Sequence, residues 1–164
     1  QIYTPTPENI KARQEFQDNK FGIFLHWGIY SMTAQGEWYM NTHNINRNEY
    51  AKLASGFYPR ASMLPNGFLP IKTSGAKYIC ITSRHHDSFS MFDTKESDFN
   101  IVDATPFKRD ILKELAEECQ KQGIKLHFYY SHLDWFRDDY PEGNTGHGTG
   151  RPKGHGTGKV TTSL

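Results

Sequence analysis

Cysteine is scarce in this chain of 164 residues: there are two, Cys80 and Cys119. One falls in a strand-like run and the other on the apolar stripe of a helical pattern. That argues against a disulfide-stapled scaffold and against a cysteine-based metal site. Both thiols are expected to behave as small buried hydrophobes. Long hydrophobic runs are missing as well, which argues against a membrane-spanning helix. So is an excess of one charge, because 19 Lys plus Arg stand against 18 Asp plus Glu. Nucleic-acid binders and acidic-membrane binders usually carry a basic surplus, so no nucleic-acid or membrane partner is expected. The chain begins at Gln1 rather than Met, as an exported protein would after losing a leader. A secreted or periplasmic location is expected on that ground.

What the chain has in quantity is aromatic surface and imidazole: 11 Phe, 9 Tyr, 3 Trp and 8 His. Aromatic rings cover the apolar faces of sugars, and His and carboxylates hydrogen-bond to sugar hydroxyls, so the composition suits a carbohydrate site. A tightly packed aromatic core would raise the same counts. Composition alone therefore does not choose, and the order of the elements has to.

Residues Glu8–Asp18 read as a short polar helix after a Thr-Pro-Thr-Pro lead. Phe21–Trp27 is a compact β-type run ending in a His-Trp pair, followed by an aromatic and polar loop over Ser31–Asn48. Asn48 is placed to cap a helix through Tyr50, Leu53 and Ala54. Lys77–Ser83 is a continuous apolar run of strand length, the pattern of a strand buried on both faces. In Asp110–Gln122 the residues Ile111, Leu112, Leu115, Ala116 and Cys119 share one helical stripe, with Gly123 placed to end it. Lys125–Ser131 is a further strand.

Strand, helical excursion, strand, helix, strand is the pattern of parallel β/α units. The fold class expected is α/β, the N-terminal portion of a (β/α)8-like barrel over residues 1–145. Three strands are too few to close a barrel, which takes about 250 residues. An open edge on such a sheet favours pairing with another chain, so an oligomer is possible. Residues 146–164 repeat Gly-His-Gly-Thr-Gly with almost no apolar residue, a composition expected to be flexible.

Each strand ends in polar and aromatic groups, and sites in parallel sheets form at the carboxyl ends of strands. Arg84-His85-His86-Asp87 follows the second strand, at a bend that lets both rings reach one pocket. One reading is a metal site on His85, His86 and Asp87; sugar binding ranks above it, because no further ligand motif accompanies the pair. Gly36-Glu37-Trp38-Tyr39 sets a carboxylate beside an indole, a common pair for holding a sugar. Tyr129-Tyr130-Ser131 closes the third strand, and one of the two tyrosines must face inward. Glycoside hydrolysis usually needs two carboxyl groups. Glu37, Asp87 and Asp134 are the candidates at strand ends, and none stands in a setting that marks a nucleophile.

These motifs, in this order, resemble the family 29 α-L-fucosidases. Lys20 to Gly28 is similar to the family's first barrel strand, and Gly36 to Tyr39 to its following loop. Ala76-Lys77-Tyr78 through His85-His86-Asp87-Ser88-Phe89 resembles its double-histidine strand. Thr94 to Asn100, Lys108-Arg109-Asp110 and Tyr129-Tyr130-Ser131 continue the match. The resemblance runs from about Phe21 to Tyr140, and several ordered motifs are far more specific than any one. It implies that His26, Glu37, Trp38, His85, His86 and Tyr129 bind the fucose of a fucosylated glycan, with Trp38 as an apolar wall. It implies no cofactor and no metal. Family members are retaining enzymes with an Asp nucleophile in a Trp-Phe-Asp type motif on a later strand, and an acid/base beyond it. Neither motif occurs in these 164 residues. Asp134 lies in Leu133-Asp134-Trp135 after the third strand and does not match the nucleophile position. Two readings follow: the sugar-holding part of an α-L-fucosidase, or a carbohydrate-binding remnant without catalysis.

Overall fold

A computed structural model describes residues 3–59 and 70–137. The glycine-rich segment 146–164 lies outside them, as does the last part of the expected barrel portion.

Helix α1 spans Pro7–Asp18. Thr6 begins it: its hydroxyl accepts from Asn9 N–H, and Pro7 occupies the first helical position, where a missing N–H costs nothing. The helix buries no residue of its own. Near its C-terminal end Glu15 reaches Lys125 at 3.1 Å and the Phe16 ring lies 5.5 Å from that of His127. It therefore lies against the start of the last strand.

Strand β1 (Gly22–Leu25), β2 (Tyr78–Arg84) and β3 (Lys125–Tyr130) form one parallel sheet in the order β1-β2-β3. Gly22 is required by its neighbour, since a Cβ there would come within 2.3 Å of the Tyr78 ring. The central strand is the apolar run that the sequence displays, and Ile79 and Ile81 are almost wholly buried. Cys80, on the opposite face, is only half-buried, contrary to expectation, whereas Cys119 is buried. The register explains the difference. It sets Cys80 between Phe24 and His127, on the face that carries the aromatic rings, not on the helix-covered face.

Between β1 and β2 the chain makes a 3-10 turn at Ile29–Thr33 and the short helices α2 (Tyr39–Thr42) and α3 (Arg47–Ala51). A 3-10 stretch over Lys52–Gly56 continues α3. The cap of α3 is Asn46, not Asn48. The Asn46 backbone is extended and its side chain accepts from Asn48 N–H, which puts Asn48 inside the first turn.

Helix α4 spans Ile111–Gln122 and packs Ile111, Leu112, Leu115 and Cys119 into the same buried cluster as Ile79 and Ile81. Ala116 is exposed, at the edge of the stripe. Asp110 caps the helix by accepting from Lys113 N–H at 2.9 Å, so the Lys108-Arg109-Asp110 motif has a structural use. Gly123 ends the helix with a positive φ of 69°. In the β2–α4 connection the fully buried Asn100 donates to Ser97 O and Asp103 Oδ2 and accepts from Val102 and Asp103 N–H. That network shapes the loop spelled by Thr94 to Asn100. Among the described residues no helix is long and apolar enough to cross a membrane.

Candidate functional site

The register decides which side chains meet. Thr82 of β2 is opposite Tyr129 of β3, and successive strand residues alternate between faces. Tyr129 is therefore on the Thr82 face, and Tyr130 is on the other. Tyr130 is half-exposed, its hydroxyl accepts from Arg84 at 3.0 Å, and the Arg84 guanidinium lies 5.7 Å from its ring. The inward tyrosine is Tyr129.

Thr82 also fixes the exit of β1. Its hydroxyl accepts from Trp27 N–H at 3.1 Å and lies 3.2 Å from Trp27 O, to which it donates. That leaves the Tyr30 hydroxyl as donor in the 2.8 Å contact with Thr82. Gly28 permits this fold-back, because a Cβ there would sit 2.8 Å from the Tyr30 ring. The outcome is that His26, immediately after β1, is held over the ends of β2 and β3. Its ring centroid is 5.7 Å from His85 and 6.3 Å from Tyr129.

His85 is the centre of the cluster. It is 5% exposed, its ring stacks on Tyr129 at 5.5 Å, and Tyr30 meets it edge-on at 5.7 Å. Its Nδ1 is buried with no partner among the described residues. Burial, reinforced by the neighbouring His86, lowers its pKa to about 4. His85 is therefore neutral near pH 7 and offers one donor and one acceptor.

His86 is held from outside the cluster. Its Nδ1 lies 2.6 Å from Ser131 Oγ, and Ser131 donates its one hydroxyl hydrogen to Leu133 O at 2.7 Å. Ser131 must then accept, so the proton is assigned to His86 Nδ1 and Nε2 keeps a lone pair. Burial lowers this pKa too. The ring is flanked by Trp38 at 5.1 Å, edge-on, and by the wholly buried Trp135 at 5.3 Å. Trp135 also braces Trp38 at 5.2 Å. Trp38 leaves 44% of its surface exposed and begins α2, just after the half-buried Glu37 and the turn at Gly36, whose φ is 89°.

All six expected residues lie on this one strand-end face, with Glu37 drawn to His26 and His85. The other candidate carboxylates are used elsewhere. Asp87 is buried and accepts from the Tyr50 hydroxyl at 2.8 Å and from Phe89 N–H. Asp134 is ion-paired to Arg84 at 2.7 Å. Asp87 is turned to Tyr50, and the ligand atoms found together among the described residues are those of His26, Glu37 and His85, not of the trio His85, His86 and Asp87. Thr82, Tyr30 and the bracing role of Trp135 are not evident in the sequence, since each depends on strand register or on distant contacts. The only local signal is Gly28 two residues before Tyr30. A cleft of about 500 Å³ lies beside Arg84, Ser88, Phe99 and Phe136, and none of the six residues lines it.

Burial raises the Asp87 carboxyl from 3.8 to about 6. The folded chain therefore holds that proton more tightly than the unfolded chain does. The stability it contributes is fully present below about pH 4 and is lost as pH rises through about 6. The buried His85 works in the opposite direction, because its lowered pKa contributes stability that is lost as pH falls toward 4. Asp87→Asn should gain on the parent by about 3 kcal/mol between pH 4 and 7. Denaturant unfolding of both proteins at several pH values checks this, and parallel curves would contradict it.

Comparison with known proteins gives this geometry a family. The alpha-L-fucosidase family model matches residues 1–153. Human plasma alpha-L-fucosidase is 34% identical over 158 residues, covering 82% of this chain and 33% of the relative. The structure of an alpha-L-fucosidase from Lactobacillus casei in complex with its alpha-L-fucose product superposes with a TM-score of 0.72 at 39% identity, over 77% of this chain and 42% of that one. A variant of the same enzyme was solved with Fuca(1,6)GlcNAc. Isoenzyme 1 of Paenibacillus thiaminolyticus gives a TM-score of 0.73 at 37% identity, over 78% of this chain and 30% of that one. The chain thus spans about a third of the length of its curated relative, and its three-stranded parallel sheet matches part of the catalytic domains in these structures. On the family match and the shared fold together, the chain belongs to the alpha-L-fucosidase family.

Proposed function

We propose that this chain forms the fucose-holding side of an α-L-fucosidase site, whose substrate is a terminal α-L-fucose of a glycan. The observation that carries the reading is the single cluster of His26, Glu37, Trp38, His85, His86 and Tyr129 at the strand ends, in a chain of this family. L-Fucose presents vicinal hydroxyls on one side and an apolar patch with its methyl group on the other. Neutral His85 and His86 each offer a hydrogen-bond acceptor, Glu37 offers a carboxylate, and exposed Trp38 offers a flat apolar wall. The fucose-bound relative from Lactobacillus casei supports the choice of sugar. The retaining reaction needs a carboxylate nucleophile and an acid/base. No carboxylate among the described residues of the cluster has the setting of either one, because Glu37 stands among the sugar-binding rings. We infer that the 164 residues bind the sugar and do not break its bond.

Replacing His86 by alanine removes the Nε2 acceptor and the ring against which Trp38 rests. One lost hydrogen bond is worth about 1 kcal/mol, so with the loosened wall about tenfold weaker L-fucose binding is expected. Titration followed by tryptophan fluorescence reads it through Trp38. An unchanged dissociation constant would remove His86 from the site.

A further inference from the structure

Three donors in the cluster converge on one point. His26, Glu37 and His85 each offer one ligand atom, and those atoms all lie within 4.8 Å of one another. Two imidazole nitrogens and one carboxylate oxygen form a donor set suited to divalent transition ions, whereas calcium and magnesium prefer oxygen throughout. Bonds of about 2.0–2.2 Å put donors around one ion roughly 3–3.5 Å apart. Closing from 4.8 Å takes a small side-chain movement. The two donors free to make it are the exposed His26 and the half-buried Glu37.

The third donor is already fixed. His85 is 5% exposed and clamped between Tyr129, Tyr30 and His86, and its Nδ1 is buried with no partner among the described residues. An orphaned buried ring nitrogen is an uncommon feature that a ligand would satisfy.

We infer that His26, Glu37 and His85 form a site for a divalent transition ion such as zinc or copper(II), and that the ion competes with the sugar for these side chains. Ion binding stands on the geometry alone, and the competition rests on the proposed fucose site. Three open positions remain around an ion held by three protein donors in octahedral geometry, or one in tetrahedral geometry. Water would fill them.

The test is a titration of the full chain with zinc chloride by calorimetry in a non-chelating buffer at pH 7. Copper(II) electron paramagnetic resonance counts the nitrogen ligands. The histidines of the glycine-rich repeat, His147 and His155, are both changed to Gln in the starting protein so that they cannot contribute. One saturable equivalent with two coordinated imidazoles is expected. His26→Gln and Glu37→Gln should each weaken binding at least tenfold. His26 is exposed, so its variant tests the site without threatening the fold, and His132→Gln should change nothing. Absent binding, or binding that His26→Gln and Glu37→Gln leave intact, overturns the site. Added L-fucose should shift the zinc isotherm to higher concentration. If L-fucose binds and zinc affinity does not respond, the competition is overturned. If L-fucose does not bind at all, the proposed function fails and the zinc titration still decides the site.

Discussion

Asp134→Ala should lower the unfolding free energy by about 3–5 kcal/mol, the range for breaking a buried ion pair by removing one partner. The pair is well shielded: the Arg84 side chain is 15% exposed and that of Asp134 5%. Asp134 also receives the Ser88 hydroxyl, Phe136 N–H at 3.0 Å and Arg137 N–H at 3.1 Å. Alanine would therefore strand a guanidinium and remove the acceptor from three donors at once. Arg84 would retain Ser88 O and the Tyr130 hydroxyl, which keeps the loss toward the lower end. Asp134→Asn keeps an acceptor for the N–H groups while losing the charge, and should cost less. The exposed pair Lys52–Glu49 sets the contrast, since both side chains are more than 60% exposed. Its removal should cost well under 1 kcal/mol. Denaturant midpoints measure all three. A loss below about 1 kcal/mol for Asp134→Ala would contradict the role given to the pair. The consequence reaches the site through the next residue, because Trp135 is the brace behind both His86 and Trp38.

The second large effect concerns turnover. A chromogenic α-L-fucoside should be hydrolysed by the 164-residue chain no faster than by the buffer, within experimental error. Removing a nucleophile from a hydrolase costs on the order of a millionfold in rate, and positioning alone recovers only part of the remainder. Among the described residues the cluster offers one carboxylate, Glu37, and a retaining mechanism uses two in distinct roles. Asp87 cannot take the second role while it accepts from Tyr50 inside the core, nor can Asp134 while it is paired with Arg84. Release of nitrophenol that scales with protein and is abolished by Glu37→Gln would mean that the missing carboxylate is present after all.

How much of this could be read in the sequence follows from the range of each signal. The parallel β/α order, the central strand and the α4 stripe are short-range patterns of period two or 3.6, and they were legible. The ends of elements were less so. Asn46 and Asn48 are equally good caps by type, and only the backbone extension at Asn46 chooses between them. Cys80 looked buried because its neighbours are apolar, yet the sheet turns it to the aromatic face. The six residues proposed to hold the sugar came from ordered motifs, and the fold sets them on one strand-end face. What holds them was not: Thr82 and Tyr30 meet across 52 positions, and Ser131 and His86 across 45. Contacts of that separation leave no periodic trace. For the same reason the competing metal reading chose neighbours in sequence, His85, His86 and Asp87, where the fold brings together His26, Glu37 and His85.

The central claim is that the fucose-holding groups and the bond-breaking groups are separable, and that this chain carries the first. It is tested most directly by titrating the full chain with 4-nitrophenyl α-L-fucopyranoside and following the sugar by NMR. Saturable binding of the glycoside with its anomeric bond intact, and no response to the D-enantiomer, is the result predicted. Absence of binding, equal binding of both enantiomers, or steady release of L-fucose would contradict it.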